Sequence, residues 1–249
     1  MSHHIIELKD IAYNYPDQTE ALQSVSFRIE HGEAVAIVGA NGAGKSTLLS
    51  ILAGLRVPTK GRIRIGDYPV AKQTLPQIRR SVGMVFQNPD DQLFMPTVFD
   101  DVAFGPLNLG LPPEEVKKRV ITALGSVGAT QIINRPSYKL SGGQKRAVAI
   151  ATVLSMNPDI LVMDEPSAGL DPLGRRQLIH HLLSFQHTKI IATHDLDLVL
   201  DVCKRTIILS SGQVVADGAT LEVFNNIDVL ERSSLEKPFR MQGCPVCNK

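Results

Sequence analysis

Short apolar runs alternate along the chain with segments of helical periodicity. Four runs have the apolar texture of strands and are bounded by turn residues: 34–38, 160–163, 189–193 and 206–209. The continuous run at 160–163 is typical of a strand buried on both faces of a parallel sheet. Helices are predicted in the segments beside these strands: from about 45, at about 173–185 and from 195. The alternation predicts an α/β fold with a mostly parallel sheet.

A different pattern precedes the first of these runs. Residues 5–15 and 25–29 alternate between apolar and polar positions, and the turn residues at 16–18 lie between them. This pattern predicts two antiparallel strands. Two further strands are predicted at 62–65 and at 81–86.

The segment from about 88 to 157 is predicted to be an all-helical insertion. Thr97 begins a stretch of the capping-box type, and an amphipathic helix is predicted from Pro112 onward. We therefore predict one domain at 1–227 that carries this helical subdomain. The remaining tail, 228–249, has little periodicity and is expected to be loosely held.

Composition narrows the classes of function. The 249 residues carry a formal net charge of +1 without long basic or acidic runs, so no nucleic-acid partner is expected. No apolar stretch approaches the length of a membrane span, and the N-terminus lacks a signal-peptide pattern. Three cysteines are too few for a disulfide framework and fit a reducing compartment. We expect a cytosolic protein that reaches a membrane only through another protein.

A glycine-rich loop follows the apolar run at 34–38. It reads Gly39-Ala40-Asn41-Gly42-Ala43-Gly44-Lys45-Ser46-Thr47, the G-x-x-x-x-G-K-[ST] pattern of a phosphate-binding loop. The glycines let backbone N–H groups converge on phosphate oxygens at the start of a helix. Lys45 is expected to reach the β- and γ-phosphates, and the Ser46 hydroxyl to ligate Mg²⁺, with the Thr47 hydroxyl close by.

Two carboxylates, Asp164 and Glu165, directly follow the run at 160–163. In a doubly wound sheet, the carboxyl ends of the strands share one edge with the phosphate loop. We expect Asp164 to hold the Mg²⁺ shell, often through water. Glu165 is expected to orient and deprotonate the attacking water.

A second anion site is predicted at Leu140-Ser141-Gly142-Gly143-Gln144. Ser141 is placed to cap a helix that runs on through Ile150. Its hydroxyl, the glycine amides and the positive end of the helix dipole therefore point at one anion site.

The phosphate loop alone does not distinguish a kinase, a small GTPase and a transport ATPase. Together with the 140–144 stretch, the acidic pair, Gln87 and His194, it makes the chain from about 5 to 225 resemble the ATP-binding cassette family. The resemblance implies a P-loop nucleotide-binding core with a mostly parallel sheet, an antiparallel β subdomain and the inserted helical subdomain. It also implies ATP and Mg²⁺ as cofactors.

The resemblance decides one ambiguity near the N-terminus. Tyr13 and Tyr15 lie two apart on one predicted strand, and periodicity does not choose which of them offers its ring to a base. The resemblance implies Tyr15. The residues implied to hold the nucleotide within one chain are Tyr15, Asn41, Gly42, Gly44, Lys45, Ser46 and Thr47.

The resemblance also implies catalytic and cross-subunit roles. Gln87 matches the loop glutamine that touches Mg²⁺ and the attacking water, and His194 matches the switch histidine on the γ-phosphate. Ser141 and Gly143 match signature residues that contact ATP held by the opposite subunit, and Asp171 matches the aspartate that couples the two sites. The implied catalytic residues are Lys45, Gln87, Glu165 and His194, and the implied metal ligands are Ser46, Gln87 and Asp164.

One phosphate loop and one signature cannot close a site within a single chain, so a dimer is implied. Residues 87–94 and 101–110 look like the ATPases of energy-coupling-factor importers, which work with a membrane coupling protein and a small substrate-binding membrane protein. Residues 164–169 and 189–200 look most like the cobalt/nickel branch, which uses a homodimer. The implied location is the cytoplasmic face of the cell membrane. The alternatives are a vitamin importer, a cassette ATPase not linked to transport and a P-loop kinase.

The C-terminal tail holds a separate signal, Cys244-Pro245-Val246-Cys247. Two thiolates are half of a tetrahedral Zn²⁺ site, so two tails of a homodimer could supply four. The alternative is a pair of exposed thiols, because a lone C-x-x-C is a weak signal.

Overall fold

The computed structural model describes residues 5–242. Within them the strands are β1 (Ile6–Asn14), β2 (Glu20–Ile29), β3 (Ala34–Val38), β4 (Lys60–Ile65), β5 (Tyr68–Pro69), β6 (Val82–Val85), β7 (Ile160–Asp164), β8 (Thr188–Ala192), β9 (Arg205–Ser210) and β10 (Gln213–Ala219). The helices are α1 (Lys45–Leu52), α2 (Leu75–Ser81), α3 (Val98–Asn108), α4 (Pro113–Ser126), α5 (Gly142–Leu154), α6 (Pro172–Ser184), α7 (Leu196–Val202), α8 (Thr220–Asn225) and α9 (Ile227–Arg232). The Cys244–Cys247 motif lies outside the described residues.

The central sheet has six strands in the order β10-β9-β3-β8-β7-β6. Five of them are parallel, and only β10 pairs antiparallel, with β9. All residues of β7 and β8 are buried, as expected where helices cover both faces. The predicted α/β fold with a mostly parallel sheet is confirmed.

A smaller antiparallel sheet, in the order β2-β1-β4-β5, packs on the first helix. Its apolar residues share one core with both the central sheet and α1, in which Leu48, Leu49, Ile51 and Leu52 are almost fully buried. Because α1 is enclosed between the two sheets, the loop that precedes it is anchored at its helical end.

The helical subdomain consists of α3, α4 and α5, inserted between β6 and β7. As predicted, Thr97 starts α3, where its hydroxyl accepts a hydrogen bond from the Asp100 amide at 3.2 Å. Asp101 is buried in α3 and accepts the amides of Phe94 and Met95, both at 2.9 Å. The subdomain therefore fixes the loop that follows the Gln87 region.

Residues 228–242 differ from the loosely held tail that the sequence suggested. Leu230 of α9 is 1% exposed, and Arg240 donates to the Asp197 carbonyl at 2.7 Å and pairs with Asp201 at 2.8 Å. Ion pairs between such distant positions leave no trace in hydrophobic periodicity. None of the helices in the described part of the chain is both long and apolar enough to span a bilayer.

Candidate active site

The phosphate-binding loop joins β3 to α1 and needs glycine at specific positions. Gly44 has a φ of 101°, and a Cβ there would lie 2.6 Å from the Ala21 carbonyl oxygen. Gly42 has a φ of 80° but open space around it, and Asn41 beside it is exposed. Close packing on one side and an open outer face are what a loop that wraps an anion requires.

Lys45 lies inside the curve of this loop. Its ammonium donates to the carbonyl oxygens of Gly39 at 2.7 Å and Ala40 at 3.1 Å, and the side chain is buried. A phosphate held by the loop amides would lie within reach of the same cation, which is the stronger donor for an anionic oxygen.

Asp164 ends β7 next to the start of α1. Burial raises the pKa of its carboxyl group, against a hydrogen bond from Ser46 and the positive charges of Lys45 and Arg146. Its Oδ1 atom is buried without a hydrogen-bond partner. An unsatisfied carboxylate oxygen beside a serine hydroxyl is the kind of oxygen donor set that Mg²⁺ takes together with nucleotide phosphates, so these residues fit that ion.

Glu165 follows in a left-handed backbone conformation, with a φ of 47°. Its side chain is buried, and Oε2 accepts hydrogen bonds from the Thr193 hydroxyl at 3.0 Å, the His194 amide at 3.2 Å and His194 Nδ1 at 2.8 Å. Three donors fix the orientation of this carboxylate. The His194 ring is 70% exposed, so one of its edges remains available to a ligand.

Gln87 reaches the same region through its backbone. Its side chain is exposed, while the carbonyl oxygens of Phe86 and Gln87 accept hydrogen bonds from the Arg146 guanidinium at 2.8 and 2.6 Å. Burial lowers the pKa of Arg146, and the charges of Asp164 and Glu165 oppose that shift. Arg146 belongs to α5, the helix that Ser141 caps. This signature helix, the glutamine loop at Gln87 and the acidic pair therefore meet at one buried cation.

The two tyrosines near the N-terminus have different environments. Tyr13 is 9% exposed and packs in the core, whereas Tyr15 is partly exposed and shares a 2.8 Å hydrogen bond with Thr47 of the phosphate loop. Their rings are perpendicular, with centroids 5.2 Å apart, and Arg56 lies over the Tyr15 ring at 4.9 Å. Of the two rings, Tyr15 is therefore the one tied to the phosphate loop.

A second group of predicted residues lies together on the surface: Ser141, Gly143 and Asp171 line one depression of about 210 Å³. Ser141 caps α5 in a capping box, accepting the Gln144 amide at 3.3 Å. Asp171 caps α6 by accepting the Gly174 amide at 2.7 Å. Apart from its chain neighbours and the backbone of its own helix, no atom of residues 5–242 lies within 4 Å of a Cβ built at Gly143. Internal packing therefore does not require glycine there.

A family model described as "ABC transporter" matches residues 22–168. The chain belongs to the ABC transporter family. It is an ATPase of that family and binds ATP, in agreement with the phosphate loop, acidic pair and capped signature helix described above.

Relatives of this ABC ATPase cover its whole length. A Geobacter sulfurreducens protein whose name assigns it provisionally to the ABC transporter ATP-binding proteins is 64% identical over 249 residues, covering 100% of both chains. The energy-coupling factor transporter ATP-binding protein EcfA of Methanocaldococcus jannaschii is 46% identical over 251 residues, covering 99% of this chain and 90% of EcfA.

Solved structures agree with the fold. The structure of cbiO1 from Clostridium perfringens, part of the ABC transporter complex cbiONQ, is 41% identical with a TM-score of 0.81, covering 92% of this chain and 94% of that one. A bacterial ABC transporter cassette with a dimeric structure is 30% identical with a TM-score of 0.79, covering 86% of this chain and 98% of that one. Cassettes similar to this ABC ATPase thus occur as dimers and in transporter complexes.

Sequence reasoning on this ABC ATPase missed three contributors to the site. Arg146 holds the glutamine loop, Thr193 orients Glu165, and Arg175 binds the carboxylate of Asp195 at 2.8 and 3.1 Å beside the switch histidine. The sequence held one signal for Arg146. It directly precedes the apolar run 147–151, and an arginine buried beside such a run must find hydrogen-bond partners.

Proposed function

We propose that this chain is the ATP-hydrolysing subunit of an energy-coupling-factor importer for cobalt or nickel ions. The observation that carries the proposal is the 46% identity to an EcfA protein over 99% of this chain. The likeness to cbiO1, part of an ABC transporter complex, supports it. The metal substrate is inferred from the stretches 164–169 and 189–200, which look most like the cobalt/nickel branch.

For hydrolysis we assign Glu165 as the general base that takes the proton of the attacking water. Three donors around Oε2 support this role, because a base must be held in place to act on one water molecule. His194 and Lys45 hold the γ-phosphate, and Gln87 orients the water from the loop that Arg146 clamps. Tyr15 stacks on the adenine, which its bond to Thr47 supports.

Mg²⁺ is proposed to bind at Ser46, Asp164 and Gln87. The described residues contain no group of three or more His, Cys, Asp or Glu side chains that could hold a metal alone. Mg²⁺ does not need such a group, because it is commonly bound through one or two carboxylates together with substrate phosphates and water, and Asp164 is the carboxylate of the proposed set. When bound, the ion neutralises charge on the phosphate oxygens.

A homodimer is proposed to complete each site. Ser141 and Gly143 of one chain contact the γ-phosphate held by the other chain, and Asp171 couples the two sites. The open space at Gly143 supports this assignment, because it leaves room for a phosphate to approach the backbone closely. The depression shared by all three residues lies at the N-termini of two capped helices, where an anion is stabilised.

The membrane partner is proposed to dock on an aromatic pair beside the glutamine loop. Phe94 is 64% exposed, Phe104 is 42% exposed, and their rings meet at 5.0 Å edge to face. Leu107, three residues after Phe104 on α3, is 56% exposed. An exposed apolar cluster of this kind marks an interaction site. It suits a helix of the coupling protein at the cytoplasmic face of the membrane.

The proposal is tested by expressing the chain with candidate membrane coupling and substrate-binding proteins and measuring cobalt and nickel accumulation. We expect accumulation to require Glu165, and Phe94→Glu to abolish co-purification in detergent. Phe239→Glu is the matched control, because Phe239 is 81% exposed outside the patch. Uptake of a vitamin in place of the metals would reject the substrate, and co-purification unaffected by Phe94→Glu would reject the docking surface.

A further inference from the structure

A cavity of about 460 Å³ lies between the helical subdomain and the core, away from the nucleotide site. Its walls are α4 and α5 on one side and β7 and α6 on the other. None of the residues assigned above to nucleotide, metal or partner binding lines it. The volume falls within the roughly 300–1,000 Å³ of pockets that enclose small organic ligands.

The core side of this cavity is apolar. Leu161 and Met163 point into it from the same face of β7, and Leu178 and Leu182 approach from α6. All four side chains are at most 2% exposed. An apolar wall of this kind favours an aliphatic or aromatic body over a hydrated ion.

The opposite wall is one polar face of α4. Its polar lining residues lie three, four, seven and eleven positions after the first, which places them on one side of the helix: Glu115, Lys118, Arg119, Thr122 and Ser126. Glu115 is already neutralised by Arg119, with Nε and Oε1 3.0 Å apart. Within residues 5–242, Lys118 has no ion pair. The charge left over on this wall is therefore positive.

The lining side chains outside α4 carry no charge that could balance Lys118. Burial lowers the pKa of His181, which lines the cavity from α6, and the neighbouring His180 lowers it further. His181 is therefore neutral at pH 7 and offers a hydrogen bond. The other polar side chains that line the cavity outside α4 are the uncharged Ser155, Asn157 and Ser184.

We propose that the cavity binds an organic anion with an apolar body, and that its occupation changes the affinity for ATP. The apolar body contacts β7 and α6, and the anionic group meets Lys118 at the rim. Coupling to ATP follows because Met163 directly precedes Asp164 and because the two walls belong to the two subdomains. The coupling rests on the proposed role of Asp164, whereas the binding does not.

The test uses anilinonaphthalene sulfonate as the anionic probe and phenylnaphthylamine as a neutral probe with the same ring body. Fluorescence titration should show that Lys118→Glu weakens sulfonate binding about three- to tenfold. The neutral probe should be unaffected. Lys117→Glu is the matched control, because Lys117 is exposed on the same helix and does not line the cavity.

A second variant narrows the cavity without changing its charge. Ala123 lines it and is 4% exposed, so Ala123→Leu should weaken binding of both probes while the melting temperature is kept or raised. Equal effects of the two lysine variants, or unchanged binding in Ala123→Leu, would overturn the site. A probe signal that ATP displaces completely and that ignores Lys118→Glu would come from the nucleotide loop and would also overturn it.

Coupling is measured by binding alone, so it does not depend on turnover. ATP affinity determined calorimetrically with and without the sulfonate probe should differ about fivefold or more, and ATP should change probe affinity by the same factor. If probe binding responds to Lys118→Glu but ATP affinity is unchanged by the probe, the proposed coupling to ATP is wrong while the binding site stands. Absence of metal transport would reject the proposed function but would not affect the measured probe binding or its coupling to ATP affinity.

Discussion

Glu165 Oε2 and His194 Nδ1 lie 2.8 Å apart, although the glutamate side chain is buried and the histidine ring is 70% exposed. The hydrogen bond uses the inner nitrogen of the ring, so Nε2 is the nitrogen left to face a ligand. One contact thus joins the proposed base to the proposed γ-phosphate sensor. Displacing either side chain will disturb the other.

Replacing Glu165 by Gln tests the general base. The amide keeps an oxygen to accept from Thr193 and the His194 amide, but it cannot take a proton from water. We expect kcat to fall about 10²–10⁴-fold while ATP affinity is kept, so that an ATP-bound dimer accumulates. Turnover assays and size-exclusion chromatography with ATP measure both effects. Full activity of the variant would remove Glu165 from this role.

Replacing Arg146 by Met tests the clamp on the glutamine loop. The side chain volume is kept, but the carbonyl oxygens of Phe86 and Gln87 lose their donors. We expect a loss of about 2–4 kcal/mol in the free energy of unfolding and slower ATP turnover. Lys145→Met is the control, since the neighbouring Lys145 pairs with Asp90, a carboxylate that is 61% exposed, and does not bind the carbonyl oxygens of Phe86 and Gln87. Equal denaturation midpoints for the two variants would contradict the clamp.

Replacing Arg175 by Ala tests the support behind the switch histidine. Burial acts to raise the pKa of Asp195, but hydrogen bonds from Arg175 and the Leu198 amide outweigh it and hold that pKa below its ordinary value. Without Arg175 the cap of α7 loosens, and kcat should fall about two- to thirtyfold with little change in ATP affinity. The exposed neighbour Arg176 provides the control variant, which should match the wild type. An altered ATP affinity at unchanged kcat would argue against this support.

Replacing Ser141 by Arg tests the shared site. The large side chain should block the γ-phosphate of the opposite chain, leaving ATP binding to the monomer intact and abolishing dimerisation and hydrolysis. Ser141→Ala is the control that separates the bulk of the arginine from the loss of the serine cap. It removes only the hydroxyl, at a cost of about 1 kcal/mol in stability. Activity that persists in the arginine variant and stays linear in protein concentration would refute the composite site.

Replacing Asp164 by Asn tests the buried carboxylate through pH. Burial raises its folded-state pKa above the ordinary 3.8, so the folded protein binds this proton more tightly than the unfolded chain and is destabilised at neutral pH. Without nucleotide at pH 7, the variant should melt at a higher temperature, by about 3–5 °C for each pH unit by which the pKa is raised. The advantage should shrink as pH falls through the raised pKa. A constant difference across this range would contradict the assignment.

The sequence by itself determined the features that are encoded locally. The phosphate loop follows from the spacing of its glycines and Lys45, and the caps at Thr97 and Ser141 follow from residue types next to a helical period. The alternation of strands and helices was predicted from the same short-range patterns. Helix α2 was missed because only Ile78 in it is buried, which leaves no amphipathic period to detect.

Tertiary structure decided the contacts between distant parts of the chain. Arg146 meets the Gln87 carbonyl across 59 positions, and Thr193 meets Glu165 across 28. Tyr15, which the family resemblance had already implied, bonds to Thr47 across 32 positions. Periodicity reports which face of an element is buried, but it does not report the partner that a buried charge or hydroxyl finds. That partner is set by how the sheets and the helical subdomain pack, because only packing brings these polar groups within hydrogen-bond distance.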